Sequence, residues 1–385
     1  MNLELTETQK MIQDTARNFA KSELEPVAAK LDQVGDRETF LKNLRKLGEL
    51  GLMAINVKSE YGGSEAGVVA FSLAVTEIAR ACASTAVTMS VNNMVCEVIQ
   101  AVGSEEQKRA YIPKIASGEY YAGGFGLTET SAGSDPAGMR TTAIDDGDSY
   151  VLNGNKIFIT SAEYAGVFVV WAVTDPKGRK GKNISTVLIE HGARGFTVGR
   201  AEHKMGQHAS ITNELVFEDC RVPKTALMGK LNDGFRVAVG ELAGGRIGIG
   251  SLGLGCGLAA IDYATRYAIN RVQFDQPITN FQAIQWMIAE SYTELEAARL
   301  LLMNAAFKKE QGKYFGREAS MAKYYATEAA ERACYNAIQI LGGYGYTAEY
   351  PVERYARDVR VCSIYEGTNQ IQRLIIARDI LGALK

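Results

Sequence analysis

The sequence predicts an α+β protein in three parts, because two stretches with helical periodicity enclose one stretch of short β runs. The chain has 385 residues, more than one hydrophobic core usually serves, so several domains are expected. We expect an N-terminal all-α domain over 1–120, a small β-barrel or sandwich over 121–232 and a C-terminal four-helix bundle over 233–385. The order α, β, α does not fit a doubly wound sheet.

The N-terminal part begins with a helix-start signal. Thr6 is followed three residues later by Gln9, the pattern of a capping box, and apolar residues recur behind it at helical spacing. Ser104 and Gln107 form a second such box, and the acidic residues between them are typical of the first turn of a solvated helix. Helical spacing also occurs in three further stretches, 41–50, 68–83 and 90–102.

The middle part has the composition of β-strands. Asn153-Gly154 lies between two short runs of strand-forming residues and predicts a two-residue hairpin turn. Further β-branched or aromatic runs occupy 167–173, 184–189, 196–198 and 215–217. These runs predict a β domain whose last strand ends at Val222-Pro223.

The last third returns to helical spacing after Gly234. Its clearest apolar stripe steps by four and three residues, as in a helical bundle. The members of this stripe are Ile284, Ile288, Ser291, Leu295, Ala298, Leu302 and Ala305. The run from Gly248 to Gly253 has the G-x-G-x-x-G spacing of a dinucleotide site, but helical residues precede it where a strand is required. Close packing of helices through small residues is the expectation there.

Bulk composition argues against several classes of protein. Forty-two Lys and Arg balance forty-four Asp and Glu, which does not favour a nucleic acid partner. The six cysteines and three histidines show no metal-ligand spacing, so we expect no metal site and buried thiols in a reducing compartment. No signal peptide and no run of about 18 apolar residues is found, so we expect a cytoplasmic protein without membrane insertion.

Four stretches resemble the acyl-CoA dehydrogenase family, and they occur in the family's own order over nearly the whole chain. They are 125–135 (FGLTETSAGSD), 153–160 (NGNKIFIT), 271–282 (RVQFDQPITNFQ) and 339–372, which contains IYEGTNQIQ. The resemblance is closest to the short-chain, butyryl-type branch. It implies an FAD enzyme that forms a 2-enoyl-CoA. A base removes the α proton of the substrate, and the β hydrogen is transferred as a hydride to flavin N5.

The resemblance also assigns residues. Glu366 matches the family's catalytic base, although a Glu beside a Gly is by itself most often a solvated loop acid. Positions that match FAD contacts are Phe125, Leu127, Thr128, Ser134, Phe158, Thr160, Arg271, Phe274, Gln282, Gln339, Gly343, Thr368 and Gln370. Positions that match contacts with the acyl-CoA are Ser134, Arg246, Tyr365 and Gly367.

Assembly and electron transfer follow from the same resemblance. Five of the matching positions hold the FAD of a neighbouring subunit in the family, which implies a homotetramer; they are Arg271, Phe274, Gln282, Gln339 and Gly343. An electron-transfer flavoprotein is the implied acceptor. The chain departs from the common pattern at three places, with Ala243 for Asp, Ser161 for Asn and Asp275 for Gly, and the first puts part of the CoA contact in doubt.

The acyl group is expected to be short, branched or alicyclic. No Lys or Arg lies between Arg80 and Lys108, the region from which glutaryl-CoA dehydrogenases supply an arginine for the distal carboxylate, so a dicarboxylic substrate is disfavoured. Two other functions remain open. An oxidase-like relative that reduces dioxygen is distinguished by peroxide formation, and a CoA-binding relative that has lost its chemistry is distinguished by a colourless protein.

Overall fold

A computed structural model describes residues 4–382. Both predicted capping boxes are present, with Thr6 and Ser104 accepting from the backbone N–H of Gln9 and Gln107. Helices α4 and α5 are buried along most of their length, so they form the core of the N-terminal part. Its helices are α1 Glu7–Phe19, α2 Ala28–Val34, α3 Arg37–Glu49, α4 Gly67–Ala81, α5 Ala83–Val102 and α6 Glu105–Ala116.

Eight strands in the described chain form one sheet. They are β1 Ala122–Gly126, β2 Thr142–Asp146, β3 Ser149–Thr160, β4 Ala165–Val173, β5 Ile184–Glu190, β6 Phe196–Ala201, β7 Thr212–Pro223 and β8 Leu227–Met228. The strand order is β6-β7-β3-β2-β4-β5-β8, and β1 pairs in parallel with β4. The four predicted runs after residue 160 all lie in strands, and Trp171 and Phe168 on β4 are fully buried in the core.

The predicted hairpin turn at Asn153-Gly154 is wrong. Strand β3 continues through both residues, and the turn between β2 and β3 lies at Gly147-Asp148. Gly154 has a φ of 134° and sits where the pairing of β3 with β7 shifts register. A Cβ on Gly154 would lie 2.7 Å from the Thr141 hydroxyl, so this glycine permits a bulge and a close approach inside a strand.

Up to residue 382, the C-terminal part consists of five α-helices and a short hairpin. They are α7 Gly234–Asn270, β9 Val272–Gln273, β10 Gln276–Pro277, α8 Gln282–Glu310, α9 Gly316–Leu341, α10 Val352–Arg360 and α11 Asn369–Gly382. The predicted stripe on α8 faces inward: its last five members, Ser291 to Ala305, are buried, and Ile284 and Ile288 are half-buried. Helix α7 is central, because it packs against α4, α5, α8 and α9.

The glycine run in α7 serves helix packing, as expected. A Cβ on Gly248 would lie 2.3 Å from the Ser90 hydroxyl of α5, and one on Gly250 would lie 2.7 Å from Leu302 of α8. Helix α7 is long and apolar enough by composition to cross a membrane, since it contains an 18-residue window of mean hydropathy 1.4, although no unbroken apolar run reaches the expected limit. Because 83% of that window is buried within the protein, packing in the core accounts for its composition.

Candidate active site

Glu366 lies in a short loop between α10 and α11, in a backbone conformation that few residues adopt. Its φ is 53° and that of Gly367 is 85°, and a non-glycine residue with positive φ is strained by about 1 to 3 kcal/mol. Side chains from two helices hold the loop. Gln372 donates to the carbonyls of Glu366 (3.2 Å) and Gly367 (2.8 Å), and Lys323 donates to the Gly367 carbonyl (2.9 Å). The loop is therefore fixed in one orientation.

The carboxyl of Glu366 points into the protein. The residue as a whole is half-buried, but its Oε2 atom is buried and has no hydrogen-bond partner among residues 4–382. A Cβ added to Gly245 of α7 would lie 2.8 Å from this oxygen and 2.9 Å from the sulfur of Met94 on α5. Burial raises the pKa of Glu366 to about 7, against the opposing charges of Arg246 and Lys323. Such a carboxyl exchanges protons near neutral pH.

Arg246 lies inside the protein, and burial lowers its pKa. The charge of Glu366 opposes this by a smaller amount. The Arg246 side chain is 6% exposed, one terminal nitrogen donates to the Ser320 hydroxyl at 3.3 Å, and Nε is buried without a partner among the described residues. Arg246, which is predicted to contact the acyl-CoA, thus lies near the acid. Tyr365, before Glu366, accepts from the side chain of Gln207 at 3.1 Å.

The loop after β1 is fixed by a buried ion pair. Lys156 is fully buried, and its ammonium lies 2.7 Å from Glu129 and 3.1 Å from the Leu127 carbonyl that it donates to. Glu129 also accepts from the backbone of Arg140 and Thr141. Burial lowers the pKa of Lys156 to about 8, although Glu129 opposes this. Leu127, Thr128 and the exposed Ser134 are carried by this loop, while Phe125 precedes it on β1.

Phe158 is an unusual residue on β3. Its φ is 59° and its side chain is 60% exposed, so it does not fill the β core that could have explained an aromatic there. The backbone N–H of the preceding residue, Ile157, donates to the carbonyl of Thr128 at 2.9 Å. Phe158 and Thr160 therefore lie directly after the point at which β3 contacts the loop containing Leu127 and Thr128.

The remaining predicted residues lie on the C-terminal helices, mostly at the surface. Phe274 is 85% exposed in the β9–β10 turn, and the guanidinium of Arg271 lies 5.6 Å from the ring of Tyr344, next to Gly343. Gln282 and Gln339 are exposed near the start of α8 and the end of α9. Two further residues, Thr368 and Gln370, line a surface cleft of about 1130 Å³. The structure does not join this surface set to the carboxyl of Glu366.

Several residues of the site were assigned no role from the sequence. Lys323, which holds the Glu366 loop, lies outside the four family-like stretches. Gln372 and the Glu129–Lys156 pair lie inside those stretches, but their contacts become evident only in the fold. The charge argument about the acyl group was also incomplete. Lys309 of α8 brings an ammonium to 2.5 Å from Glu97 of α5, inside the span that contains no basic residue of its own.

Residues 4–382 contain no cluster of His, Cys, Asp and Glu that could hold a metal ion.

A carboxyl whose pKa is raised by burial to about 7 lies at the meeting point of α5, α7 and the loop before α11, an environment typical of groups that exchange protons in enzymes. Three family models match the chain: the acyl-CoA dehydrogenase N-terminal domain over 6–119, the middle domain over 124–220 and the C-terminal domain over 232–381. The chain belongs to the acyl-CoA dehydrogenase family.

Known relatives match this chain over more than nine tenths of their own length. The chain is 46% identical to the mitochondrial short-chain specific acyl-CoA dehydrogenase of Mus musculus, with 100% of this chain and 92% of the relative covered. It is 42% identical to the acryloyl-CoA reductase (NADH) of Anaerotignum propionicum, with 99% and 96% covered.

Solved structures share the fold. The butyryl-CoA dehydrogenase of Megasphaera elsdenii has a TM-score of 0.95 at 39% identity, with 99% of this chain and 100% of that chain covered. A chain from work on the electron transferring flavoprotein of Acidaminococcus fermentans has a TM-score of 0.96 at 44% identity, with 99% and 100% covered. An acyl-CoA dehydrogenase complexed with FAD from Bacillus anthracis has a TM-score of 0.92 at 32% identity, with 98% and 67% covered.

Proposed function

We propose that this chain is an FAD-dependent dehydrogenase of short-chain, small branched or alicyclic acyl-CoA thioesters, with Glu366 as the base that removes the α proton. The observation that carries the proposal is the Oε2 atom of Glu366, which is buried, unpartnered among the described residues and part of a carboxyl whose pKa is about 7. A dry carboxylate is a stronger base than a solvated one, and the α C–H of a thioester is a weak acid.

The chain's own residues support the proton transfer in two ways. The charges of Arg246 and Lys323 favour the ionised form of Glu366 and so oppose the effect of burial. The backbone N–H groups of Glu366 and Gly367 have no acceptor among residues 4–382, so they are free to donate to an oxygen that gains negative charge. Tyr365, Gly367 and Ser134 are proposed to contact the acyl-CoA beside the base.

FAD is the proposed cofactor, and residues of the site fit it. Phe158, whose backbone φ is positive, exposes its ring as a flat apolar surface, and Thr128 is half-buried in the loop after β1. Leu127 and Thr160 lie on the same two segments. FAD supplies the acceptor for the β hydride when it is bound. Two further residues, Thr368 and Gln370, are proposed to contact its adenosine half, because they line the cleft beside α11.

A homotetramer is proposed because part of the FAD-matching set lies on the surface. Arg271, Phe274, Gln282, Gln339 and Gly343 are exposed or half-buried near the β9–β10 turn and the ends of α8 and α9. Exposed aromatic residues accompany them, among them Trp286 (61%) and Tyr346 (87%). Large exposed apolar side chains around a guanidinium suit an interface at which a neighbouring subunit contributes to the flavin site.

An electron-transfer flavoprotein is the proposed acceptor, supported by the likeness to a chain from work on such a protein. The cytoplasm is the proposed location, supported by six free cysteines. The likeness to an acryloyl-CoA reductase favours one second candidate, the reverse reaction, in which protonated Glu366 returns the α proton. An oxidase that makes peroxide stays the alternative for reoxidation of the flavin.

The test is an anaerobic absorbance titration of the purified protein with butyryl-CoA, then isobutyryl-, cyclohexanecarboxyl- and glutaryl-CoA. We expect a yellow protein whose oxidised-flavin band is bleached by one of the first three thioesters. A colourless protein that binds no added FAD contradicts the cofactor, and a yellow protein bleached by none of them contradicts the substrate class. Peroxide formed in air during turnover supports the oxidase instead.

A further inference from the structure

Lys323 on α9 is a buried lysine with no acidic partner. Its side chain is 0% exposed, and no carboxylate of residues 4–382 lies within ion-pair distance of its ammonium. The nitrogen donates to the carbonyl of Gly367 at 2.9 Å and to the side-chain oxygen of Asn369 at 3.0 Å. Removing an ammonium from water costs several kcal/mol unless hydrogen bonds and charges compensate. A cation here therefore calls for a reason beyond packing.

One hydrogen bond of Lys323 ends on the loop that carries Glu366, and the other ends on the first residue of the helix that follows it. Gly367 is the next residue after the acid, and Asn369 begins α11 directly behind the loop. Glu366 and Gly367 both have positive φ, so the loop relies on contacts from outside to keep its conformation. Gln372 donates to the same Gly367 carbonyl but is neutral. Lys323 and Gln372 thus donate to the same carbonyl, and only Lys323 brings a positive charge to it.

Two cations face the carboxyl of Glu366 from different helices. Arg246 on α7 and Lys323 on α9 both lower the pKa of Glu366 by their charge, and burial alone raises it. Burial in turn lowers the pKa of Lys323 to about 8, and Arg246 adds to this effect. Cys362, Glu366 and Glu331 oppose it. Lys323 is therefore coupled to the acid by geometry and by charge.

We propose that Lys323 is a positioning residue for Glu366, which holds the Gly367 peptide so that the carboxyl faces the substrate and supplies positive charge that keeps that carboxyl ionised. This inference rests on the proposed function, since it concerns the same base. Two substitutions separate the contributions. Lys323→Met removes both a hydrogen bond and the charge, whereas Gln372→Met removes only neutral hydrogen bonds to the same loop. An effect seen in the first variant alone is therefore due to the charge.

The experiment is the pH dependence of anaerobic flavin reduction by butyryl-CoA in the FAD-loaded enzyme. The wild-type rate is expected to fall below a pH near 7, where Glu366 is protonated. Loss of the Lys323 charge raises the pKa of Glu366, so in Lys323→Met this limb moves to higher pH by about one unit, and the rate at pH 7 falls roughly fivefold. Gln372→Met lowers the rate but leaves the limb in place.

Controls separate the possible failures. Lys204→Met removes a half-buried lysine, which donates to a backbone carbonyl (Ser210, 2.9 Å) away from the loop, and should leave the limb unmoved. If Lys323→Met does not fold, Lys323→Gln, which keeps a donor and loses the charge, should show the same upward movement. A limb at the wild-type pH in a folded, FAD-containing Lys323 variant overturns the inference alone. A wild-type flavin that no acyl-CoA bleaches overturns the proposed function, and this inference with it.

Discussion

Gly245 of α7 leaves no room for a side chain next to Glu366, and this makes Gly245→Ala a sharp probe of the site. The added methyl would lie 2.8 Å from Oε2 of Glu366 and 2.9 Å from the sulfur of Met94, closer than carbon atoms in proteins come to such neighbours. The carboxyl must retreat by roughly 0.5 to 1 Å to reach ordinary contact distance. A misplacement of about 1 Å at a reacting group costs on the order of a hundredfold in rate.

The same substitution should change stability little. Alanine is favoured over glycine inside a helix by about 1 kcal/mol, and overpacking costs about 1 to 3 kcal/mol, so the net loss is on the order of 1 kcal/mol. Gly240→Ala is the matched control, because it lies on the same helix and has no atom within 4 Å of its added methyl. This control should retain full activity and gain up to about 1 kcal/mol.

Stopped-flow reduction of the flavin by butyryl-CoA and thermal melting are the two measurements. We expect Gly245→Ala to melt within a few degrees of wild type and to reduce its flavin about a hundredfold more slowly. A Gly245→Ala enzyme that reduces its flavin at the wild-type rate would falsify the close placement of Glu366 against α7. A slow variant that also loses FAD would point to general damage to the fold. The Gly240→Ala control shows whether a methyl group added to α7 causes such damage by itself.

Three other perturbations test the site. Glu366→Gln should keep FAD and acyl-CoA binding but slow flavin reduction by about 10² to 10⁴; undiminished reduction would show that another group is the base. Glu129→Gln removes the counter-ion of the buried Lys156 ammonium, so the free energy of chemical unfolding should fall by about 3 to 5 kcal/mol and FAD should be retained less well. Unchanged FAD retention would show that the loop after β1 does not depend on this pair. Arg271→Ala should release FAD and dissociate the assembly in sedimentation, and a variant with stoichiometric flavin contradicts the shared site.

Local patterns predicted those parts of the fold that local physics decides. The capping boxes at Thr6 and Ser104 were found because a cap satisfies backbone donors within four residues. The stripe on α8 was found because one face of the helix is buried along its length. The fold class and the family are confirmed by the structure and by the three family models. The role of each site residue remains a prediction.

The errors arose where distant groups decide a residue's role. Asn153-Gly154 has the composition of a turn, yet the pairing of β3 with β2 and β7 carries the strand through it. Strand β1, with three glycines in five residues, was not predicted, because its conformation depends on pairing with β4. Lys323 has no local signal at all, since its partners are more than forty residues further along the chain.

The groups around Glu366 come from the N-terminal helix α5, the central helix α7 and the loop before α11, which lie far apart in the chain. The proposed binding place of the acyl group, beside Glu366, consequently exists only while these elements are docked. A ligand that fits it binds the docked state alone, and at about a hundred times its dissociation constant it adds roughly 2.7 kcal/mol to the free energy of unfolding. Thermal stability in the presence of a thioester thus reports occupancy directly, even for a non-reacting analogue and in a variant that cannot reduce its flavin.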